Sequence, residues 1–458
     1  MPVQSGTCRV VREVTVAEDR FAPGHLGELT QIVPFEMVDA ALDETGTVQQ
    51  RVRDLPSRVV VYLLLAGALF VECGYREVWA RLVGGLNGLP VAEPSAAGLA
   101  AARRRIGPAP LAKLFDLLRG PAATGPARKG VWWRGRLVTA IDGTTMCCPD
   151  TPANLGVHRK GGSHHGGTGY PMVRLLALVA CGTRTIIDAV FGSIGRGEPG
   201  YAADLVHAMR APMIVLADRN FAAADLIDKI AARGADLLIR VKNGRRLPVC
   251  RRCADGSWLS RIGQVEVRVI RAQITITTAE GARSEVYQLV TTVLDADCPA
   301  TEIVGLYHQR WEIETAYCEL KQGIGDGRVL RARTPTGLEQ EIYARLIAYQ
   351  TLRIAIADAT LAAPDVDPDR GSFTVALHAA RDQLVKAAGV IADTTIDLVG
   401  VIGERVLASL LPDRRRRTSP RVVKRAISTY APHTASGRLR GPSHRIAISV
   451  DVLADPAP

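Results

Sequence analysis

Tyr307-His308-Gln309-Arg310-Trp311-Glu312-Ile313-Glu314-Thr315-Ala316-Tyr317-Cys318-Glu319-Leu320-Lys321 lies inside a run, Thr301 to about Gln322, whose apolar spacing predicts one long helix entered after Pro299. Separations of three, four and seven residues put Tyr307, Arg310, Glu314 and Lys321 on one helical face. That face carries a carboxylate between two cations and a phenol. Charged helices usually wear such residues as a solvated, ion-paired surface. The pattern gains meaning from what precedes it.

Upstream, two apolar runs end on aspartate. Arg136–Ile141 reads as a strand ended by Asp142-Gly143, and Met213–Ala217 as a buried strand followed by Asp218-Arg219. Carboxylates at strand ends sit where an α/β sheet opens its crevice to ligands. Taken singly, each is also an ordinary turn residue. Together they can supply the oxygen ligands that hard divalent cations prefer.

Between and around these strands the chain alternates. Val173–Ala180 and Thr185–Phe191 are predicted strands, Tyr201–Arg210 and Ala222–Arg233 helices, and Leu237–Val241 a further strand, implying a mixed sheet covered by helices. Residues 243–295 hold β-prone runs instead of the expected helix: Val265–Ile270, Gln273–Thr278 and Val286–Leu294. After the long helix, Leu338–Ala362, Thr374–Val390 and Ile402–Leu411 read as helical. Before the sheet, residues 1 to about 115 read as short helices, with Ser95 capping Ala96–Arg105. The basic edge Arg103-Arg104-Arg105 is either a solvated bundle edge or part of a helix-turn-helix-like DNA reader.

Composition narrows the partners. The chain has 458 residues, enough for at least two cores, and 47% hydrophobic with 22% charged residues excludes disorder as its main state. Lys and Arg number 57 against 46 Asp and Glu, so 57 − 46 gives +11, a surplus suited to a polyanion. The tail Arg414–Arg445 carries no acid. The most apolar stretch, Val59–Val71, has 13 residues, short of the roughly 20 needed to cross a bilayer. Nine cysteines without a dense framework suit a reducing cytoplasm. Cys250-x-x-Cys253 lacks a second pair for zinc. His158, His164, His165 and the basic pair Arg159-Lys160 fall in a Gly-rich loop, and Asp188, Asp225 and Asp228 are rival carboxylates.

The helix pattern Y-x2-R-x3-E-x6-K, preceded by two strand-end aspartates, resembles the DDE transposases of bacterial insertion sequences, in the insertion sequence 4 family. The resemblance implies an α/β, ribonuclease-H-like mixed sheet (131–242 plus 296–362) with a β insertion (243–295). It also implies an α-helical N-terminal DNA-binding domain (1–119) and a helical, basic C-terminal region (363–458). It implies Asp142, Asp218 and Glu314 as a catalytic triad holding two Mg²⁺, with Mn²⁺ as a substitute, and DNA contacts from Tyr307, Arg310, Trp311, Lys321 and Arg219. The activity implied is cut-and-paste transposition by a homodimer on double-stranded DNA, in the bacterial cytoplasm and at the nucleoid when DNA-bound, with no membrane role. Two other readings keep the three acids: a ribonuclease-H-like nuclease, and a transposase-derived DNA-binding protein without catalysis.

Overall fold

A computed structural model of the protein describes residues 24–51, 53–86, 90–122, 125, 130–161, 169–278, 281–361, 363, 365–386, 400–412 and 447–453. His164, His165 and the tail Arg414–Arg445 lie outside the described residues.

Five helices come first: α1 (Phe35–Glu44), α2 (Ser57–Leu69), α3 (Tyr75–Val83), α4 (Ala96–Ile106) and α5 (Ala109–Leu118). Ser95 caps α4 as expected, its hydroxyl accepting the Gly98 N–H at 3.0 Å. Every residue of α2 except Arg58 is buried, so this helix has no polar face and needs neighbours all round. Those neighbours include α11 (Pro335–Leu361) and α12 (Phe373–Val385), with α13 (Gly400–Ala408) beyond.

The sheet begins with the short β1 (Trp132–Trp133) and β2 (Arg136–Cys147). After α6 (Pro152–Leu155) come β3 (Met172–Ala180), β4 (Ile186–Ser193), α7 (Glu198–Leu205), β5 (Met213–Ala217), α8 (Ala224–Ala231) and β6 (Asp236–Val241). Their spatial order is β4-β3-β2-β5-β6. β2, β3 and β4 are antiparallel, whereas β5 and β6 run parallel to β2. This is the mixed sheet expected from the alternating pattern. One face is covered by α7 and α8 through Leu176, Leu178, Val215 and Leu237; the other carries Val138, Val173 and Leu175 against Ile313, Ala316 and their neighbours.

Three elements differ from the sequence reading. β2 does not stop at Asp142-Gly143 but continues to Cys147, because β3 pairs with it as far as Cys147↔Met172. β5 pairs only with Leu137–Ala140, so Asp142 leaves the parallel ladder without leaving the strand. The run split at Arg271 is one strand, β9 (Val265–Thr278), joined to β10 (Gly281–Thr291), and Arg271 sits inside the ladder opposite Gln288. With β7 (Arg251–Arg252) and β8 (Trp258–Ile262) these strands extend the main sheet, since β10 pairs antiparallel with β6. Finally, Ala447–Val452 forms β11 on β9, where no strand was expected.

The helical run is continuous but not uniform. It comprises α9 (Ala300–Tyr307), a 3₁₀ turn (His308–Arg310), α10 (Trp311–Cys318) and a π turn (Glu319–Ile324). The tight turn and the wide turn flank α10, and both place signature residues.

Candidate active site

Asp142, Asp218, Glu314, Arg219, Arg310 and Lys321 line one cavity of about 520 Å³. Asp218 follows the last residue of β5, and its carboxylate accepts the Asn220 N–H at 2.7 Å, capping the turn that carries the strand away. Asp142 sits where β2 loses its parallel neighbour, and its Oδ1 accepts the Gly143 N–H at 2.8 Å. Glu314 arrives from the helix that crosses the sheet. Three elements distant in sequence thus deliver the three acids to the crevice at the strand ends.

Arg310 stands between two of these acids. Its guanidinium donates to Asp142 Oδ2 at 3.4 Å and to Glu314 Oε1 at 3.1 Å. Its Nε, also buried, finds no acceptor among the described residues. Lys321, on the π turn, donates from Nζ to Thr144 Oγ1 at 3.2 Å, and burial pushes its pKa down. Burial also raises the Asp142 carboxyl to about 6, offset in part by the Gly143 N–H and Arg310 and reinforced by Asp218 and Glu198.

Two of the expected DNA contacts lie outside the cavity lining. Tyr307 is tucked beneath it, its hydroxyl donating to the Ala217 carbonyl at 3.2 Å, so this phenol tethers the helix to the strand end that bears Asp218. Trp311 is half-buried, with the Arg310 guanidinium 5.0 Å from its ring centroid.

Sequence spacing missed three further groups. The Tyr317 hydroxyl donates to the Asp142 carbonyl at 2.5 Å and accepts the Ala177 N–H at 3.0 Å. Asp142 and Ala177 are register partners, so this buried phenol is inserted into the β2–β3 ladder beside the acid. Glu198 and Asn220 also line the cavity. Tyr317 was hidden because a Tyr three residues after a Glu is an ordinary apolar helix position. Glu198 reads as a plain helix-start acid.

The opposite side of the helix is anchored by a buried ion network. Arg184 donates to Glu312 at 2.7 Å and to Glu319 at 3.1 Å, while Arg353 pairs with Glu319 and Tyr349 donates to the Arg184 carbonyl at 2.9 Å. The rival carboxylates have other work. Asp188 is buried against Arg119 and 3.0 Å from His207 Nε2; Asp225 pairs with Lys229, and Asp228 accepts the Gln264 N–H. Lys160 pairs with Asp150, and burial pushes the His158 pKa down. In the helical N-terminal region, Arg103 stacks on the Tyr75 ring and Arg105 donates to the Leu55 carbonyl.

The chemistry of the donors fits a hard divalent cation: the acids lining the cavity are oxygen ligands, and the one nearest the core is desolvated. In this conformation, among the described residues, no three such groups close tightly enough to hold an ion. Arg310 supplies the positive charge between Asp142 and Glu314.

Comparison with known proteins decides the family. Residues 23–116 match the insertion element 4 transposase N-terminal family, and residues 133–351 match the transposase DDE domain. This chain belongs to the insertion sequence 4 family of DDE transposases. Among its relatives is "Transposase InsG for insertion sequence element IS4" of Escherichia coli (strain K12), 26% identical over 404 residues, covering 85% of this chain and 90% of that protein. "Putative transposase InsZ" of the same strain is 26% identical over 215 residues, 44% of this chain and 67% of that one. A piggyBac transposase synaptic complex with hairpin DNA overlaps 88% of each chain at a TM-score of 0.42 and 12% identity. As a member of this family the transposase is an enzyme of DNA transposition, and DDE transposase domains generally use divalent metal ions. Among the described residues no helix is long and apolar enough to cross a membrane.

Proposed function

We propose that this transposase binds the ends of its own insertion sequence, cleaves phosphodiester bonds there, and joins the freed 3′-hydroxyls to target DNA in a cut-and-paste reaction. The observation that carries the reading is the delivery of Asp142, Asp218 and Glu314 to one cavity, with Arg310 spanning two of them. These three acids would hold two Mg²⁺, or Mn²⁺ in its place. Such ions, held by these residues, would supply a lowered pKa for the attacking water or 3′-hydroxyl and charge compensation for the leaving oxygen.

The chain's other residues supply binding and order. Lys321 and Arg219 reach the cavity as cations for the scissile strand, Lys as a point charge and Arg as a fork. Tyr307 acts by position, holding the helix against the end of β5, and the half-buried Trp311 offers a ring edge for an unpaired base. The sheet, read as ribonuclease-H-like, keeps the acids in register, and the strands of 243–295 are its β insertion. Synapsis of two ends calls for two copies of the chain, so the working form is a homodimer on double-stranded DNA, acting in the cytoplasm.

The test is Glu314→Gln with DNA taken from the borders of the gene. Strand cleavage in Mg²⁺ should be abolished while end binding stays within a few-fold of wild type. Cleavage by the variant at the wild-type rate would remove Glu314 from the catalytic set.

A further inference from the structure

A fourth carboxylate enters the cavity from a fourth element. Glu198 opens α7 and lines the same space as Asp142, Asp218 and Glu314. Two contacts fix it there. Asn220, whose backbone N–H donates to Asp218, also donates from Nδ2 to Glu198 Oε2 at 3.3 Å. On its other side Glu198 lies against Gly143, the residue after Asp142. A Cβ at position 143 would come within 2.6 Å of Glu198 Oε1 and 2.8 Å of Cδ, so the missing side chain there is what makes room for this carboxylate.

The charge arrangement is unlike that of the acids on the far side of the signature run and on α11. Glu312, Glu319 and Glu341 each face an arginine. Among the described residues no Lys or Arg forms an ion pair with Glu198 or with Asp218. Arg310 spans only Asp142 and Glu314. Carboxylates gathered in a partly desolvated cleft, two of them with no ion pair of their own among the described residues, repel one another and favour any divalent ion that enters.

We propose that Glu198 is a fourth cation ligand, completing with Asp142 and Asp218 the oxygen set for one of the two divalent ions, and that Asn220 is the positioning residue that aims it. This rests on the reading of the cavity as the metal-dependent site. It adds to that reading a helix, α7, with no part in the signature.

The experiment is titration of the DNA-free protein with Mn²⁺ alone, with bound and free ion distinguished by electron paramagnetic resonance, for wild type, Glu198→Gln, Asn220→Ala and Asp142→Asn. Outer-shell partners alone are worth about 10–100-fold in metal affinity, so Glu198→Gln should weaken one class of Mn²⁺ site by at least about tenfold. Asn220→Ala should weaken the same class by less. Melting in EDTA should leave Glu198→Gln at least as stable as wild type, which separates lost ligation from lost folding. If Glu198→Gln does not fold, Asn220→Ala, on an exposed turn, carries the test: an unchanged isotherm there overturns the proposal. Wild-type binding by Glu198→Gln alongside weakened binding by Asp142→Asn sinks the Glu198 assignment and leaves the triad standing. If Asp142→Asn too binds like wild type, the metal-site reading itself fails.

Discussion

At the scale of single residues, Asp142 joins backbone placement to charge. Its carboxyl titrates near 6 rather than at the usual 3.8, chiefly because it is buried. A raised folded-state pKa means that this group's contribution to stability is present below about pH 4 and is lost as pH rises through about 6. The difference corresponds to roughly 2–3 kcal/mol. Metal-free Asp142→Asn should therefore melt higher than wild type at pH 7–8, with the gap closing by pH 4 in pH-resolved thermal melts. An Asn variant less stable at every pH would contradict this account. Tyr317 makes a second residue-scale prediction. Tyr317→Phe removes the hydroxyl that bridges Asp142 and Ala177, leaving two backbone groups short of a partner at about 1–3 kcal/mol each. Faster amide exchange at Ala177 and slower strand cleavage should appear together; an unchanged exchange rate would argue that the ladder closes over the gap. Asp142, Asp218, Glu314, Arg310 and Lys321 were legible in the sequence because strand ends and helical spacing leave a linear trace. Tyr317, Glu198 and Asn220 were not, since their partners lie on other elements and only the folded register brings them together.

At the scale of elements, the helical run from Ala300 to Ile324 is two-sided. One side meets the cavity, while the other drives Glu312 and Glu319 into the Arg184–Arg353 network. Uniform α geometry was the sequence expectation, because 3₁₀ and π turns follow from tertiary contacts that spacing does not encode. Here the π turn carries both Glu319 and Lys321, one anchored in the network and the other aimed at Thr144. Removing one partner of a buried pair commonly costs about 3–5 kcal/mol. Arg184→Ala should lower the denaturant midpoint by a corresponding amount and cut cleavage, although Arg184 is absent from the cavity lining. A variant with full stability and lost activity would mean that Arg184 reaches the DNA. The length of β2 was misread for a related reason: Asp-Gly signals a turn locally, but pairing with β3 overrides it.

At the scale of the whole molecule, the change from short N-terminal helices to an alternating strand pattern was legible from apolar spacing, whereas the way those helices pack against the later ones was not. Side chains after the signature run reach back to the carbonyls of the N-terminal helices. Arg331 donates to Gly67 and Cys73, Gln340 to Arg103 and Gly107, Gln350 to Leu118 and Gly120, and Arg381 to Leu69. Most of these acceptors lie in or just past the last turn of α2, α4 and α5, whose carbonyls have no partner within their own helix. The buried side chains of α2 belong to the same core as α11 and α12. A fragment ending at residue 120 should accordingly bind a hydrophobic dye and melt without a cooperative transition, and sharp two-state melting would show that the N-terminal region stands alone. In the intact chain, the same carbonyl clasps fasten the helices proposed to grip an element end to the helices that follow the signature run. If the proposed grip and cut belong to one body fastened in this way, its width sets the number of base pairs between the recognised sequence and the broken bond, as a ruler would. Lengthening the spacer in the DNA should abolish cutting rather than shift it.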